Sequence, residues 1–249
     1  MDSETASVMN AHRTPGRLAD LQIPEMLAAR AETITAWLAE PLAKRLGVQV
    51  AIIIFGAGIY GATLGLWRSP LQALFVAIKF PLILLLTTAF NALLNGMLAQ
   101  LLGLPVRLLD SFRLILISFA TAAVILAGFS PLTFFVLWNA PPLSDRAATT
   151  NDVYSAIILL HVLAIAAAGI AANVKLLQSL RLLSGDVRRA RVILFSWLAG
   201  NLLLGSQFIW NLRPFIGAPF LPVEFFRPTA FKGSFFEAVL VALRQLFAN

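Results

Sequence analysis

The stretch FRLILISFATAAVILAGFSPLTFFVLW, residues 112–138, decides the fold, because it is apolar almost throughout and carries one charged residue, Arg113. An α-helix needs about 20 consecutive apolar residues to cross the hydrocarbon core of a bilayer, and this stretch is longer than that. Pro131 within it predicts a cap or a kink. The stretch therefore predicts a transmembrane helix that is long enough to tilt.

Four further apolar stretches have comparable length, at residues 49–67, 74–102, 153–177 and 190–212. The chain of 249 residues is 59% hydrophobic and 12% charged, with a mean hydropathy of +0.83, whereas soluble domains carry about 25% charged residues. Indole side chains prefer the membrane–water interface, and those near the ends of these stretches are Trp67, Trp138, Trp197 and Trp210. The sequence therefore predicts an all-α polytopic membrane protein with five transmembrane helices within residues 48–212.

Three segments flank this region. Residues 1–23 lack apolar periodicity and predict a flexible tail. Residues 24–47 predict an amphipathic cytoplasmic helix, which packs on the protein's own bundle, lies in the interface or docks a soluble partner. Residues 213–249 begin with a stretch rich in proline and aromatic residues, for which we expect an irregular extracytoplasmic lid. A short amphipathic helix is expected to follow from about Ser234 to Phe247, with Ser234 and Glu237 in capping-box spacing.

Basic residues give the predicted orientation. With the N-terminus inside, twelve of the nineteen Lys and Arg residues lie on the inner side, including the cluster Arg188, Arg189 and Arg191, as the positive-inside rule requires. The polar first 20 residues predict no cleavable signal peptide. We expect a multi-pass membrane protein with a cytoplasmic N-terminus and an extracytoplasmic C-terminus.

Catalytic motifs are missing from the sequence. The chain has no cysteine and two histidines, His12 and His161, so the usual zinc sites cannot be assembled. It also has no P-loop and no G-x-S-x-G motif, and we predict no catalytic, metal or cofactor site and no enzyme activity. The formal charge of +7 comes mainly from residues beside apolar stretches, where they meet lipid headgroups. No nucleic-acid partner is expected.

Small residues within the apolar stretches favour close helix packing. Gly56-Ala-Gly58-Ile-Tyr-Gly61 matches the dinucleotide-binding pattern G-x-G-x-x-G, but it lies inside an apolar stretch rather than between a strand and a helix. A G-x-x-x-G spacing lets helix backbones approach closely. A groove for a lipid or small molecule is the alternative. The predicted packing residues are Gly58, Gly61, Gly65, Ala168 and Gly169.

Polar side chains inside the apolar stretches are costly unless they are paired. The candidates are Lys79, Asn91, Asn95, His161, Asn201 and Gln207. Interhelical hydrogen bonding is the simpler interpretation for the amides. The alternative is a polar cavity shared by spans 2, 4 and 5, as in a small transporter or channel.

The lid supplies a candidate partner surface, because prolines, aromatic side chains and arginines follow the last span in a short stretch. Its residues are Arg213, Pro214, Phe215, Gly217, Pro219, Pro222 and Arg227.

Three stretches carry a resemblance to a known family. They are Ile59-Tyr60-Gly61-Ala62 with Gly65, Leu71-Gln72-Ala73-Leu74 through Lys79 and Pro81, and Gly205-Ser206-Gln207 through Trp210 to Pro222. With these motifs and five spans, the chain resembles the Yip family of Rab-GTPase-interacting membrane proteins and, more closely, its bacterial look-alikes. It lacks the D-L-Y-G-P motif of the eukaryotic members, so the resemblance does not extend to a Rab-type partner.

Together these features predict a non-enzymatic scaffold or adaptor, or an accessory subunit of a larger membrane complex, and the resemblance to the bacterial proteins implies the bacterial inner membrane as its location. Its expected partners are membrane lipids and either other membrane proteins or further copies of itself. The alternative is the small transporter or channel.

Overall fold

The computed structural model describes residues 27, 33, 36–38, 40–101, 108–141, 147–217 and 221–247. Its long helices are numbered in chain order, and no strand occurs in the described residues. They are α1 (Leu42–Leu66), α2 (Pro70–Leu101), α3 (Leu108–Asn139), α4 (Ala147–Ser184), α5 (Val187–Leu212) and α6 (Phe235–Phe247).

Five of these helices, α1 to α5, contain segments that are long and apolar enough to cross a membrane. The segments are Arg45–Leu66, Pro70–Leu98, Leu108–Asn139, Asp152–Ser184 and Val187–Leu212. The prediction of an all-α, multi-pass membrane protein with five spans is confirmed. Because consecutive spans alternate in direction, α1, α3 and α5 end on one side of the bundle, called here the lid side.

Tight turns join the helices. Between α1 and α2 the Ser69 hydroxyl accepts a hydrogen bond from the Gln72 amide at 3.0 Å, which satisfies an unpaired donor of the first turn. Between α4 and α5 the chain turns at Gly185, whose φ of +64° lies in the left-handed region that glycine adopts without steric cost. Asp186 then caps α5, because its side chain accepts from the Arg188 amide at 2.8 Å.

Close contacts of α1 hold the centre of the bundle together. A Cβ on Gly65 would lie 2.5 Å from the Gln72 carbonyl oxygen, and one on Gly61 would lie 2.6 Å from that of Val76. On another face, a Cβ on Gly56 would lie 2.8 Å from the Ala123 carbonyl oxygen. Glycines thus let α1 pack against α2 and α3 at backbone distance.

The other predicted packing residues differ in how closely they approach a neighbouring helix. A Cβ on Gly58 would lie 3.3 Å from the Ala77 carbonyl oxygen, and Ala168 is buried beside Tyr60 and Leu64. Gly169 is different, because no described atom lies within 4 Å of its ideal Cβ position. The expected close contact at Gly169 is therefore wrong, since this residue faces open space beside α4.

The N-terminal arm has a different boundary from the predicted one at residue 47. The chain bends at Glu40, and Pro41 precedes a continuous helix that starts at Leu42, so residues 42–47 belong to α1. Before this break Trp37 is buried against α1 and α3. The Arg45 guanidinium lies 4.4 Å from the Trp37 ring centroid and 2.9 Å from the Glu40 carboxylate. The described part of the arm thus packs on the bundle.

Candidate functional site

The lid, residues 213–234, leaves the end of α5 and returns alongside it. Three hydrogen bonds trace the return path. The Arg213 guanidinium donates to the Thr229 carbonyl at 3.2 Å, the Trp210 indole donates to the Lys232 carbonyl at 3.4 Å, and the Phe235 amide donates to the Gln207 side chain at 3.3 Å. Each step of three residues back along α5 matches a step of three residues forward in the lid. The end of the lid therefore runs antiparallel to the last turns of α5.

Lys79 of α2 connects the lid to the bundle. Its side chain is fully buried, and its Nζ donates to the Pro214 carbonyl oxygen at 3.1 Å. The same Nζ lies 4.7 Å from the ring centroid of Phe225, 5.8 Å from that of Phe226 and 6.0 Å from that of Phe215. Aromatic faces attract a cation within about 6 Å. The lid thus surrounds a buried ammonium group with a carbonyl and three aromatic rings.

Gln72, about two turns before Lys79 on the same helix, makes a second connection. Its Nε2 donates to the Pro214 carbonyl at 3.2 Å and also to the Phe215 carbonyl. Gly217 has a φ of +81°, and a Cβ built on it would lie 3.8 Å from the Gln72 side chain. Arg68 adds a hydrogen bond to the Leu221 carbonyl at 2.8 Å. The lid backbone is therefore held by side chains of the α1–α2 hairpin.

Aromatic contacts extend from this anchor to the surface. The Phe225 ring packs edge-on against Phe75 at a centroid distance of 5.2 Å and against Phe226 at 4.8 Å. Phe226 in turn contacts Phe231 at 5.9 Å. Phe231 is 75% exposed, so the chain of rings leads from the buried lysine to an open apolar surface.

The residues predicted as a partner surface have different environments. Pro214 is buried, Phe215 and Gly217 are half-buried, and the Arg213 guanidinium lies over the Trp210 ring at 3.7 Å. These four residues contact the protein itself. Arg227 is half-buried and pairs with Glu224 at 3.7 Å, Pro222 is exposed, and Pro219 lies outside the described residues. The role of Arg213, Pro214, Phe215 and Gly217 as a partner surface stays a prediction.

The lid also exposes three large apolar side chains that lie outside the predicted partner surface, beside exposed residues such as Pro222 and Lys232. They are Leu221, Phe226 and Phe231, which are 47%, 42% and 75% exposed. We call these three residues the apolar lid surface. Their proximity to a proline-rich stretch was visible in the sequence, but their exposure depends on how the lid folds onto α2.

The six predicted cavity residues belong to separate contact groups. Lys79 binds the lid, whereas Asn91 lies 12 residues further along α2, a distance of about 18 Å along a helix. The Asn91 amide donates to the Asn201 side-chain oxygen. His161 contacts the Tyr60 hydroxyl through Nδ1 at 2.9 Å, and Gln207 contacts Asn211 and the start of α6.

Within these groups, the asparagines of α2 come closest to forming a polar site. The side-chain oxygens of Asn91 and Asn95 both approach Gly200 of α5, at 3.1 and 3.3 Å from its ideal Cβ position. Both asparagines are fully buried, and the Trp197 indole donates to the Asn95 backbone carbonyl at 3.2 Å. The Asn91–Asn201 bond joins α2 to α5, as the hydrogen-bonding interpretation expects, whereas the buried Asn95 side chain has no hydrogen-bond partner among the described residues.

The side of the bundle opposite the lid has a basic surface. Arg188, Arg189 and Arg191 are exposed at the start of α5, and Arg189 lies 3.7 Å from the Asp186 carboxylate. In the part of the chain that the structure describes, no three His, Asp or Glu side chains come together in a way that could hold a metal ion. Exposed arginines thus mark this side of the bundle, whereas exposed aromatic rings mark the lid.

The chain was compared with protein-family models, with curated proteins and with solved structures, and it matches none of them.

Proposed function

We propose that this protein is a non-enzymatic membrane scaffold or adaptor that acts as an accessory subunit, and that its apolar lid surface binds another membrane protein. The observation that carries the proposal is the path from Lys79 to Phe231. A buried cation fixes the lid backbone and its aromatic rings, and the last ring in the series is 75% exposed.

A surface held in place before binding loses little conformational entropy when a partner docks. Aromatic side chains are enriched in the centres of protein interfaces, and Phe226 and Phe231 are of this type. The hydrogen bonds from Gln72, Arg68 and Arg213 to lid carbonyls keep these rings in one arrangement. The lid therefore has the properties of a preformed docking surface.

The transporter alternative has less support. It requires Lys79, the asparagines, His161 and Gln207 to line one cavity, yet their described contacts are separate. Lys79 is occupied by the lid, and Asn91 is paired with Asn201. These contacts favour a structural role for the polar residues.

For orientation, we propose a cytoplasmic N-terminus in a bacterial inner membrane. The exposed arginines at the start of α5 would then face the cytoplasm, in accord with the positive-inside rule, and the lid would face outward.

The resemblance to Yip proteins stays a prediction. Two of the three stretches that carry the resemblance contact each other, because Gln72 and Lys79 of one stretch bind the backbone of Pro214 in another.

Photo-crosslinking in cells tests the proposal. A photoreactive phenylalanine analogue replaces Phe231 of the lid or, as a matched control, Phe195, which is 68% exposed near the other end of α5. We expect one discrete protein adduct from position 231 and none of that mass from position 195. An adduct at twice 27.0 kDa would identify the partner as a second copy. Equal labelling patterns at the two positions would refute the proposal.

A further inference from the structure

The exposed face of α6 is apolar. Phe236, Val239 and Leu240 are 37%, 39% and 55% exposed, and their spacing of three and four residues puts them on one side of the helix. Phe235 and Ala238, on an adjacent side, are half-buried. The main helix neighbour of α6 is α5. The apolar row is therefore unpartnered within the described chain.

The antiparallel return of the lid fixes the depth at which α6 starts. The Phe235 amide contacts the side chain of Gln207, and Gln207 lies five residues before Leu212, where α5 ends. At 1.5 Å per residue this is about 7.5 Å along the helix axis. Amphipathic helices that lie on membranes bury their apolar face about 5–10 Å into the boundary between headgroups and acyl chains. Measured from the end of α5, the start of α6 thus matches the depth of such helices.

The neighbouring part of α5 faces lipid. Leu202 and Ile209 are 68% and 48% exposed on a helix that is apolar enough to cross the membrane. Trp210, of a residue type that concentrates at the membrane interface, donates to Lys232 just before α6 begins. The apolar row of α6 therefore continues a lipid-facing surface at its interfacial edge.

We propose that α6 is an interfacial anchor, whose Phe236, Val239 and Leu240 insert into the acyl-chain boundary of the leaflet on the lid side. The occupant of this face is lipid and not a protein. The anchor holds the C-terminal end of the lid at the membrane surface, while α2 holds its beginning. This inference is independent of the partner proposed for the apolar lid surface.

Two adjacent residues of α6 give a sharp test. Leu240 and Val241 are almost equally exposed, at 55% and 53%, but they point about 100° apart around the helix, and Val241 is turned away from the apolar row. The chain has no cysteine, so Leu240→Cys and Val241→Cys each accept one environment-sensitive fluorophore. Each labelled full-length protein is reconstituted into phosphatidylcholine–phosphatidylglycerol vesicles, with nitroxide-labelled lipid as the membrane quencher and iodide as the aqueous quencher.

We expect the label at position 240 to emit at shorter wavelength and to be quenched by nitroxide lipid at least about threefold more than the label at 241, because it lies in the acyl boundary. Iodide should show the opposite preference. Quenching of both labels by iodide alone would overturn the proposal, and so would protection of position 240 from both quenchers, which would indicate a protein contact. A label on Leu203, which is 55% exposed on α5, calibrates the lipid signal.

Discussion

The Nζ of Lys79 donates to the carbonyl oxygen of Pro214 at 3.1 Å, across 135 residues of sequence. A lysine inside a transmembrane segment normally requires a carboxylate, a carbonyl or water as partner. Here the first segment after the last span supplies a backbone carbonyl and aromatic faces. The lid is therefore part of the fold of the membrane domain, and its position depends on a residue of α2.

Replacement of Lys79 by alanine should loosen the lid, because it removes the hydrogen bond to Pro214, the ring contacts and the packing of the side-chain stem. We expect a loss of about 2–4 kcal/mol in lid docking. A single cysteine at Val223, which is half-buried, should react at least about tenfold faster with aqueous maleimide in this variant, since 1.4 kcal/mol already corresponds to a factor of ten.

The matched control for this experiment is Ile78→Ala, on the adjacent residue, which is 51% exposed. Its effect on the reactivity of a cysteine at Val223 should be small. If the two alanine variants accelerate labelling equally, Lys79 does not hold the lid.

Substitution of Gly65 by alanine should destabilise the bundle, because the added Cβ would lie 2.5 Å from the Gln72 carbonyl oxygen. A backbone atom can give way only if α1 and α2 separate, and we expect a cost of about 1–3 kcal/mol. Gly169→Ala should instead be neutral or stabilising by up to about 1 kcal/mol, through the higher helix propensity of alanine.

The midpoint of thermal unfolding in detergent measures both glycine variants. The two substitutions have the same chemistry and differ only in whether a neighbouring backbone is present. A lower midpoint for Gly169→Ala than for Gly65→Ala would contradict the described packing.

Asn91 and Asn201 should be energetically coupled, because the amide of one donates to the side-chain oxygen of the other. Leucine at position 201 leaves the buried Asn91 amide without its acceptor. Leucine at position 91 leaves the half-buried Asn201 without its donor, and leucine at both positions removes the pair. We expect a coupling free energy of about 1 kcal/mol, measured by unfolding the single and double variants in sodium dodecyl sulfate.

A second double-mutant cycle, which combines Asn91→Leu with Ser179→Ala, serves as the control for the Asn91–Asn201 cycle. Ser179 bonds to the Lys175 carbonyl within α4, so these two changes should be additive. Additivity in the Asn91–Asn201 cycle would remove the case for a pair that joins α2 to α5.

Gln207→Leu should free the start of α6, because the Phe235 amide loses its acceptor. One hydrogen bond worth about 1 kcal/mol corresponds to roughly fivefold faster exchange of that amide. Hydrogen–deuterium exchange of a peptide covering residues 229–238 measures this change.

Asn211→Leu is the control, since it removes the other contact of the Gln207 side chain, at 3.1 Å, and leaves the acceptor of the Phe235 amide in place. Equal exchange in both variants would argue against the contact.

The spans were predictable because bilayer crossing is a property of composition over about 20 residues. Their ends were less predictable. The predicted fourth span, 153–177, continues to Ser184, where Gly185 and the Asp186 cap set the end of one helix and the start of the next. Local capping chemistry decides such boundaries, and hydropathy does not report it.

The candidate site was predictable as a set of residues but not as a set of contacts. The high cost of burying charge marked Lys79, and prolines and aromatic residues marked the lid. No local pattern indicates that these two regions meet, because the contact spans 135 residues. Gly61 and Gly169 illustrate the same limit, since each belongs to a run of small residues but only Gly61 faces a neighbouring helix.

The antiparallel return of the lid along α5 ties both ends of the lid to the bundle, its beginning through Lys79 and Gln72 and its end through Trp210 and Gln207. A protease that cleaves after Phe226, which is 42% exposed, would therefore cut the polypeptide without releasing either piece. The nicked protein should migrate as one species in mild detergent and as two fragments only after denaturation.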